Sequence, residues 1–399
     1  MRLKPTALLT GPYDWDPAVV PVQEFESRLA NVEHVLASRE VSALIVHGNS
    51  AEYGALAYLT GLVPKLGPAF ALIGRDSSVR LLVSGSPTIL GAAKRLTWIE
   101  DVRPIGDLKS SVSAWLTEIL RREPANVGLW GHCSMALRPY NAIQSAIEPL
   151  GSIIELDSAL EALRLRKSSL EQALCRQASR ILGESLAELT RAHAAGSGAR
   201  TSCLAAERTA FQLGAQDART LASTRNGGAP VILDVANDST LDRFLAYVAV
   251  RFAGYWAEGF IALARSATNA LAAAQRGLDA MLQISRVGMS LEELASIATQ
   301  HVRPYRLHPF VESSSIANSI GLSIKEPCDK NAPEAAILQS GGVYTLRCGA
   351  ASPSDSATVS DNAIVSAMIA VHERGIEVLW QPLAAQAKLF FPETLDDHS

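Results

Sequence analysis

Short apolar runs alternate with helix-period segments over the first 160 residues. Runs of this length, bounded by turn residues, are typical of buried strands; they are VSALIVHG (41–48), AFALIGR (69–75), VRLLVSG (79–85), NVGLWGH (126–132) and SIIELDS (152–158). Between them, segments 24–40 and 108–123 repeat their apolar residues with the period of an amphipathic helix. Because strands and helices alternate, the pattern predicts an α/β layer domain over residues 1–160.

From residue 161 onward the pattern changes to long helices and separate strand-like runs. Ser168 and Glu171 form a capping box that starts one helix, and Gly196 marks its end. Further helices are predicted over 202–216 and 269–285 and after a second capping box at 290–293, and strand-like runs cover 243–265, 341–349 and 362–371. This order predicts an α+β domain over residues 161–399, with helices packed on a largely antiparallel sheet.

Composition and charge exclude several classes of protein. Apolar residues make up 48% of the chain and charged residues 19%, as in ordinary globular enzymes. The formal net charge of -4 argues against nucleic acid and anionic membranes as partners. The sequence has no apolar stretch of membrane-spanning length, no signal-peptide core near its start, and five scattered cysteines without a CxxC pair. We therefore expect a cytoplasmic protein with reduced thiols.

Six segments, taken in order, resemble the family of creatinase, prolidase and aminopeptidase P. They are RLANVEHVLASREVSALIVHG with YLTGL, LRLRKSSLEQALCRQASRI, GYWAE (254–258), IGLSIKEP (320–327), LQSGGVYTLRCG (338–349) and SDNAIV (360–365). The resemblance implies a smaller N-terminal α/β domain, a C-terminal pita-bread domain with the site in a cleft on its sheet, and a homodimer.

The same resemblance implies two divalent metals, held by two aspartates, one histidine and two glutamates. Carried over motif by motif, those five positions fall on Tyr247, Glu258, Asn318, Arg347 and Ser360. Only Glu258 remains a metal ligand, because a guanidinium has no lone pair to donate. The five residues sum to zero formal charge, whereas the family's set carries four negative charges. We therefore expect a site with no metal and no other cofactor.

Two interpretations of Arg347 and Glu258 stay open. The pair forms an internal ion pair that fills the former metal site, or Arg347 binds a substrate carboxylate while Glu258 acts as general acid or base. Tyr247 is either a proton donor and acceptor in the cleft or a packing residue. Asn318 and Ser360, at two other former ligand positions, are expected to contact substrate.

The remaining candidates each have a structural alternative. Trp256 with Tyr255 forms an aromatic wall for a flat substrate, or packs in the sheet. Lys325 is a catalytic base, or forms a surface pair with Glu326, which is otherwise a substrate-binding residue. His308 is a further candidate base in contact with substrate. Strand alternation places Cys348 on the face opposite Arg347, as a buried structural thiol.

The family's catalytic histidines are also replaced. One position falls on Lys325, and the upstream one falls near Val231. A creatinase mechanism therefore does not transfer to this chain, although creatinase itself works without metal.

Three functions compete. The first is a metal-independent enzyme that uses acid/base chemistry on a small polar substrate bearing a carboxylate, by C–N bond hydrolysis or elimination, or by isomerisation or cyclisation. The second is a non-catalytic pseudo-peptidase that binds a peptide or protein. The third, a metallopeptidase with shifted ligands, is disfavoured because four of five ligand positions have changed. A closed pocket at Tyr247, Glu258, Asn318 and Arg347 would favour an enzyme, and an open groove would favour a binding module.

Overall fold

The computed structural model describes residues 14–85, 87–120, 125–226, 228–236, 238–264, 268–311, 316–326, 336–352 and 361–382. It divides into two compact units. The first extends to Arg164 and also includes Glu326, and the second begins at Leu165.

The first unit is built on a six-stranded mixed sheet. Its strands are β1 (Val41–Gly48), β2 (Ala69–Gly74), β3 (Val79–Val83), β4 (Asp101–Pro104), β5 (Asn126–Trp130) and β6 (Ile153–Glu155), in the order β4-β3-β2-β1-β5-β6. The pairs β1–β2 and β2–β3 are antiparallel, and β3–β4, β1–β5 and β5–β6 are parallel.

Helices flank this sheet. They are α1 (Val22–Ser38), α2 (Gly54–Thr60), α3 (Pro87–Ala93), α4 (Leu108–Leu120), α5 (Leu137–Ile147) and α6 (Asp157–Leu165). One core joins apolar residues of β1, β2 and β5 to α4 and α5, with Trp115 of α4 among them. The α/β prediction is confirmed. The run at 152–158 was longer than its strand, because β6 ends at Glu155 and Asp157 already begins α6.

The second unit contains two antiparallel sheets. The larger has five strands, β10 (Arg306–Leu307), β11 (Ala317–Ser319), β12 (Val343–Ala351), β13 (Asn362–His372) and β14 (Gly375–Trp380); the smaller has β7 (Asp217–Ala222), β8 (Arg243–Phe252) and β9 (Tyr255–Ala264). The run at 243–265 is thus a hairpin rather than one strand. Its turn is Ala253-Gly254, both with positive φ.

The described residues of this unit also form the helices α7 (Ser169–Ala194), α8 (Ala199–Gln212), α9 (Asn269–Ile284) and α10 (Leu291–His301). Both predicted capping boxes are present, at Ser168 with Glu171 and at Ser290 with Glu293. Helices α9 and α10 share one core with β12 and β13. The α+β prediction is confirmed. In the described part of the chain, no helix is both long and apolar enough to cross a bilayer.

Candidate functional site

Strand alternation separates a helix-covered face of the β8–β9 hairpin from the face that carries the candidate site. On the covered face, Phe244 stacks on His193 of α7, with ring centroids 4.3 Å apart. Tyr247 lies three residues further along β8 and therefore points to the other face. Ala249 pairs with Glu258 in the antiparallel register, so Glu258 shares the face of Tyr247.

The same separation occurs on β12. Cys348 packs against α9 at Gly277, where an added Cβ would lie only 2.5 Å from the sulfur. Arg347 therefore faces away from α9. The predicted placement of Cys348 is confirmed, and burial raises the pKa of its thiol to about 12, which makes it an inert core residue.

The carboxylate of Glu258 is buried, and both Tyr247 and Arg347 contact it. Arg347 forms an ion pair with Oε1 of Glu258, and the Tyr247 hydroxyl donates a hydrogen bond to Oε2 at 2.8 Å. Glu258 is only 1% exposed. The ion pair that we considered from the sequence is therefore present, and both carboxylate oxygens are engaged.

Tyr247 acts as a hydrogen-bond donor in this arrangement. Burial, followed by the charge of Glu258, raises the pKa of its phenol well above the ordinary value of 10. The phenol therefore stays protonated at neutral pH and holds its proton towards Glu258. Its ring packs at 4.8 Å from Phe260, which fixes the hydroxyl beside the carboxylate.

Asn318 lies on β11, opposite Thr345 of β12. The Asn318 amide nitrogen donates to the backbone oxygen of Ile324 at 3.1 Å. Its amide oxygen and the Thr345 hydroxyl are both buried, and neither has a hydrogen-bond partner within the described residues. Buried polar atoms without partners are costly, so this position suits a polar ligand. Thr345 and Arg347 are two residues apart on β12 and therefore share its face.

Two further arginines lie beside Trp256. The Arg219 guanidinium lies 4.6 Å from the ring centre of Trp256, and that of Arg251 lies 5.5 Å from it. Asp217 lies 3.4 Å from Arg219 and 4.0 Å from Arg251. Through the pairing of β7, β8 and β9, both arginines lie on the same sheet face as Glu258.

The aromatic surface differs from the predicted one. Trp256 is buried beside the two arginines, and Tyr255 faces the opposite side of the strand, where its hydroxyl donates to Glu171 of α7 at 2.9 Å. The predicted wall of Tyr255 and Trp256 is therefore wrong. Besides Tyr247, the Phe260 ring lies near the ion pair, 6.0 Å from the Arg347 guanidinium, and Phe310 packs edge to face on Phe260 at 5.6 Å.

Lys325 and Glu326 do not form a surface pair. Lys325 has an exposed side chain, which does not favour the catalytic base that we considered. Glu326 is 3% exposed and forms a buried ion pair with Arg164. A charge that is already paired in this way is a structural element of its unit. The predicted surface pair of Lys325 with Glu326 is therefore wrong, and Glu326 binds Arg164 rather than a substrate.

His308 is buried and held by its own loop. Its Nδ1 accepts a hydrogen bond from the backbone N–H of Phe310 at 3.1 Å, and its backbone N–H donates to the carbonyl oxygen of Gly349 at 3.0 Å. Burial, with a smaller effect of Arg306, lowers the pKa of His308 to about 4. The nitrogen that a base would use is thus engaged, so His308 is not a base of this site. Ser360 lies outside the described residues.

The fold and this site allow the chain to be compared with solved structures. It superposes on an X-Pro aminopeptidase from Thermotoga maritima MSB8 with a TM-score of 0.71 and 16% identity, over 89% of this chain and 98% of that one. A prolidase from Pyrococcus horikoshii OT3 gives 0.69 and 15%, over 88% and 97%. Zinc-substituted Escherichia coli aminopeptidase P in complex with product gives 0.69 and 15%, over 92% and 98%.

These likenesses define a class of fold. The chain has the aminopeptidase P and prolidase architecture, a mixed α/β unit followed by an antiparallel α+β unit of pita-bread type. No protein-family model matches the sequence, and a search of curated proteins finds no match.

The described residues do not suit the metal pair that the resemblance implies. Glu258 is the one carboxylate of the set, and Arg347 already neutralises it. Tyr247 keeps its proton, and Asn318 offers a neutral amide oxygen. Two divalent cations need several anionic oxygen or nitrogen ligands, and the guanidinium at this position would repel them.

Sequence reasoning missed three parts of the site: Thr345, Phe260 and Arg219. Thr345 and Phe260 were detectable, since each lies two residues from a predicted site residue on the same strand face. Arg219 was not, because the pattern over 217–222 gave no sign of a strand that would place it over Trp256.

Proposed function

We propose that this chain is a metal-independent enzyme that acts by acid/base chemistry on a small polar substrate bearing a carboxylate. The observation that carries the proposal is the buried group of Tyr247, Glu258 and Arg347, in which a proton donor, a carboxylate and a guanidinium meet. The guanidinium of Arg347 in this group supports a substrate that bears a carboxylate.

A substrate carboxylate can take the place of Glu258 as the ion-pair partner of Arg347. A guanidinium binds any carboxylate through paired N–H donors, so a substrate carboxylate competes with Glu258 for Arg347. Once Arg347 has turned to the substrate, Glu258 is a buried carboxylate without its counter-charge. A buried carboxylate beside the bound substrate is positioned for general-base catalysis.

The proton then has a defined route. Glu258 takes a proton from the substrate, or from a water beside it, and returns it to the atom whose bond breaks or rearranges. Tyr247 donates a hydrogen bond to Glu258 at rest and stays available to a developing negative charge on the substrate. The Asn318 amide oxygen and the Thr345 hydroxyl have no hydrogen-bond partner among the described residues, so both are available to orient the polar substrate. C–N bond hydrolysis or elimination, isomerisation and cyclisation all use these groups in the same roles.

The proposal is tested by a thermal-shift screen of the full chain. The panel pairs amino acids and N-substituted or guanidino acids with their carboxamides, and positive compounds are then followed for turnover by NMR. We expect acids to bind and the matching amides to fail. Arg347→Lys keeps the charge but loses the paired donors, so affinity for the acids should fall about 10- to 100-fold.

Arg176→Lys is the matched control, because Arg176 also forms a two-pronged pair, with Glu377, away from the site. Unchanged binding in Arg347→Lys removes Arg347 from the site. Peptides that bind without turnover, while small acids do not bind, would favour the pseudo-peptidase that binds a peptide or protein. The homodimer stays a prediction, which the molar mass in solution checks.

A further inference from the structure

A second group of reactive side chains lies in the N-terminal unit, where two parallel strands end. Strand β5 ends at Trp130, and Gly131 turns the chain with φ 83°. An added Cβ at Gly131 would lie 2.6 Å from the carbonyl oxygen of His47. The turn leads into a short 3₁₀ helix, His132–Ser134. Strand β6 ends nearby at Glu155, and α6 begins at Asp157.

This topology brings a histidine, a cysteine and two carboxylates together. Nδ1 of His132 lies 3.0 Å from Oδ2 of Asp157, and Nε2 lies 3.3 Å from Oε2 of Glu155. The Cys133 sulfur lies 3.7 Å from Nε2 of His132. One ligand atom from each of His132, Cys133 and Asp157 lies within 4.8 Å of the other two. Tetrahedral ligands about 2.0–2.3 Å from one zinc ion lie about 3.3–3.8 Å from one another, so the atoms that lie farthest apart would have to move about 1 Å closer to share one ion.

One nitrogen of the His132 ring lies beside a carboxylate without forming a hydrogen bond to it. This atom, Nδ1, is buried and makes no hydrogen bond to any described residue, although Oδ2 of Asp157 is only 3.0 Å away. If Nε2 carries the proton and faces Glu155, then Nδ1 and Oδ2 present two lone pairs side by side. A cation between them satisfies both, and Glu155 then fixes the histidine tautomer, as outer carboxylates do in metal sites.

Asp157 is held ready for this role by the backbone. The Gly131 N–H donates to its Oδ1 at 2.7 Å, and the Cys133 N–H donates to its Oδ2 at 3.4 Å. The carboxylate is therefore fixed before any ligand arrives, which reduces the entropy lost on binding.

A nucleophilic cysteine is the alternative for these residues, since thiol, imidazole and carboxylate also occur in catalytic triads. The geometry argues against it. Nε2 of His132, the nitrogen that would activate the thiol, lies closer to Oε2 of Glu155, at 3.3 Å, than to the Cys133 sulfur, at 3.7 Å. Carboxylates beside both ring nitrogens instead attract a cation.

We propose that His132, Cys133 and Asp157 form a site for a single divalent cation of the zinc type, with Glu155 supporting His132 through its other ring nitrogen. A thiolate, an imidazole and a carboxylate are ligands that zinc accepts, and the exposed side of Cys133 leaves the fourth position to water. The ion would connect the ends of β5 and β6 to the start of α6. This site is independent of the function proposed for Glu258 and Arg347.

The test is a Co²⁺ and Zn²⁺ titration of the full chain in the presence of a non-thiol reductant. We expect one equivalent of Co²⁺ with a thiolate-to-cobalt charge-transfer band and the intense visible bands of a tetrahedral ion, displaced by Zn²⁺. Cys133→Ser should abolish the charge-transfer band and weaken Zn²⁺ binding by more than about tenfold. Its exposed position makes this variant safe for folding.

His372→Gln is the control, because His372 and Glu377 form a histidine–carboxylate pair, 3.2 Å apart, in the second unit. Its titration should match that of the unchanged chain. Absence of the charge-transfer band, or equal Zn²⁺ affinity in Cys133→Ser, overturns the proposal. So does alkylation of Cys133 by iodoacetamide that is faster than that of free cysteine and unaffected by Zn²⁺, which would indicate a nucleophile.

Discussion

Replacing Arg347 by methionine is expected to lower the free energy of unfolding by about 3–5 kcal/mol at neutral pH. The methionine keeps most of the packing volume but leaves Glu258 buried without its cationic partner. The Tyr247 hydroxyl alone does not offset the cost of desolvating that carboxylate. Urea unfolding followed by circular dichroism measures the change.

The double variant Glu258→Gln/Arg347→Met separates the cost of an unpaired charge from the worth of the pair. The glutamine side chain introduced there is neutral and still accepts the Tyr247 hydrogen bond, so most of the lost stability should return. Recovery of this kind is the usual result when a buried pair is removed as a unit. A single variant as stable as the unchanged chain would show that Arg347 and Glu258 are not paired in solution.

Acid should destabilise the second unit through His308. The folded pKa of about 4 lies below the unfolded value of 6.5, because burial disfavours the charged ring. Below about pH 6.5, His308 binds a proton in the unfolded chain but stays neutral in the folded chain. Stability is therefore lost as the pH falls from 6.5 to 4, by about 3 kcal/mol in total.

His308→Asn isolates this contribution, because an asparagine oxygen also accepts the Phe310 N–H but does not titrate in this range. The variant should lose about 3 kcal/mol less than the unchanged chain between about pH 7 and about pH 4. His301→Gln, at an exposed position of α10, should follow the unchanged chain. Parallel curves for all three proteins would mean that His308 is protonated normally in the folded state.

The sequence predicted the framework well because local signals and burial agreed there. The capping boxes at Ser168 and Ser290 set helix starts that the structure reproduces, and the run at 41–48 became β1 without change. Strands without a clear pattern were missed, among them β4, β7 and β14. Strands β4 and β7 pair with strands distant in the sequence, and β14, which forms a hairpin with β13, is mostly only half-buried, so tertiary context determined all three.

Part of the site could be predicted from the sequence for a similar reason. Glu258 and Arg347 were found through spacing, and the structure brings both to one point. The residues that contact Glu326 and Trp256 could not be predicted from the sequence. Arg164 lies 162 residues before Glu326, and Arg219 reaches Trp256 only through the pairing of β7 with β8. Contacts of that range depend on the assembled fold and leave no local pattern.

We propose above that Tyr247, Glu258, Asn318 and Arg347 work without a metal. Elemental mass spectrometry of Cys133→Ser protein, purified without affinity tags or chelators, tests it most directly, since that variant removes the separate cation site proposed in the N-terminal unit. We expect far less than one equivalent of any transition metal per chain. One or two equivalents of zinc, manganese, cobalt or iron that disappear when Glu258→Ala is added would contradict it and favour a metallopeptidase.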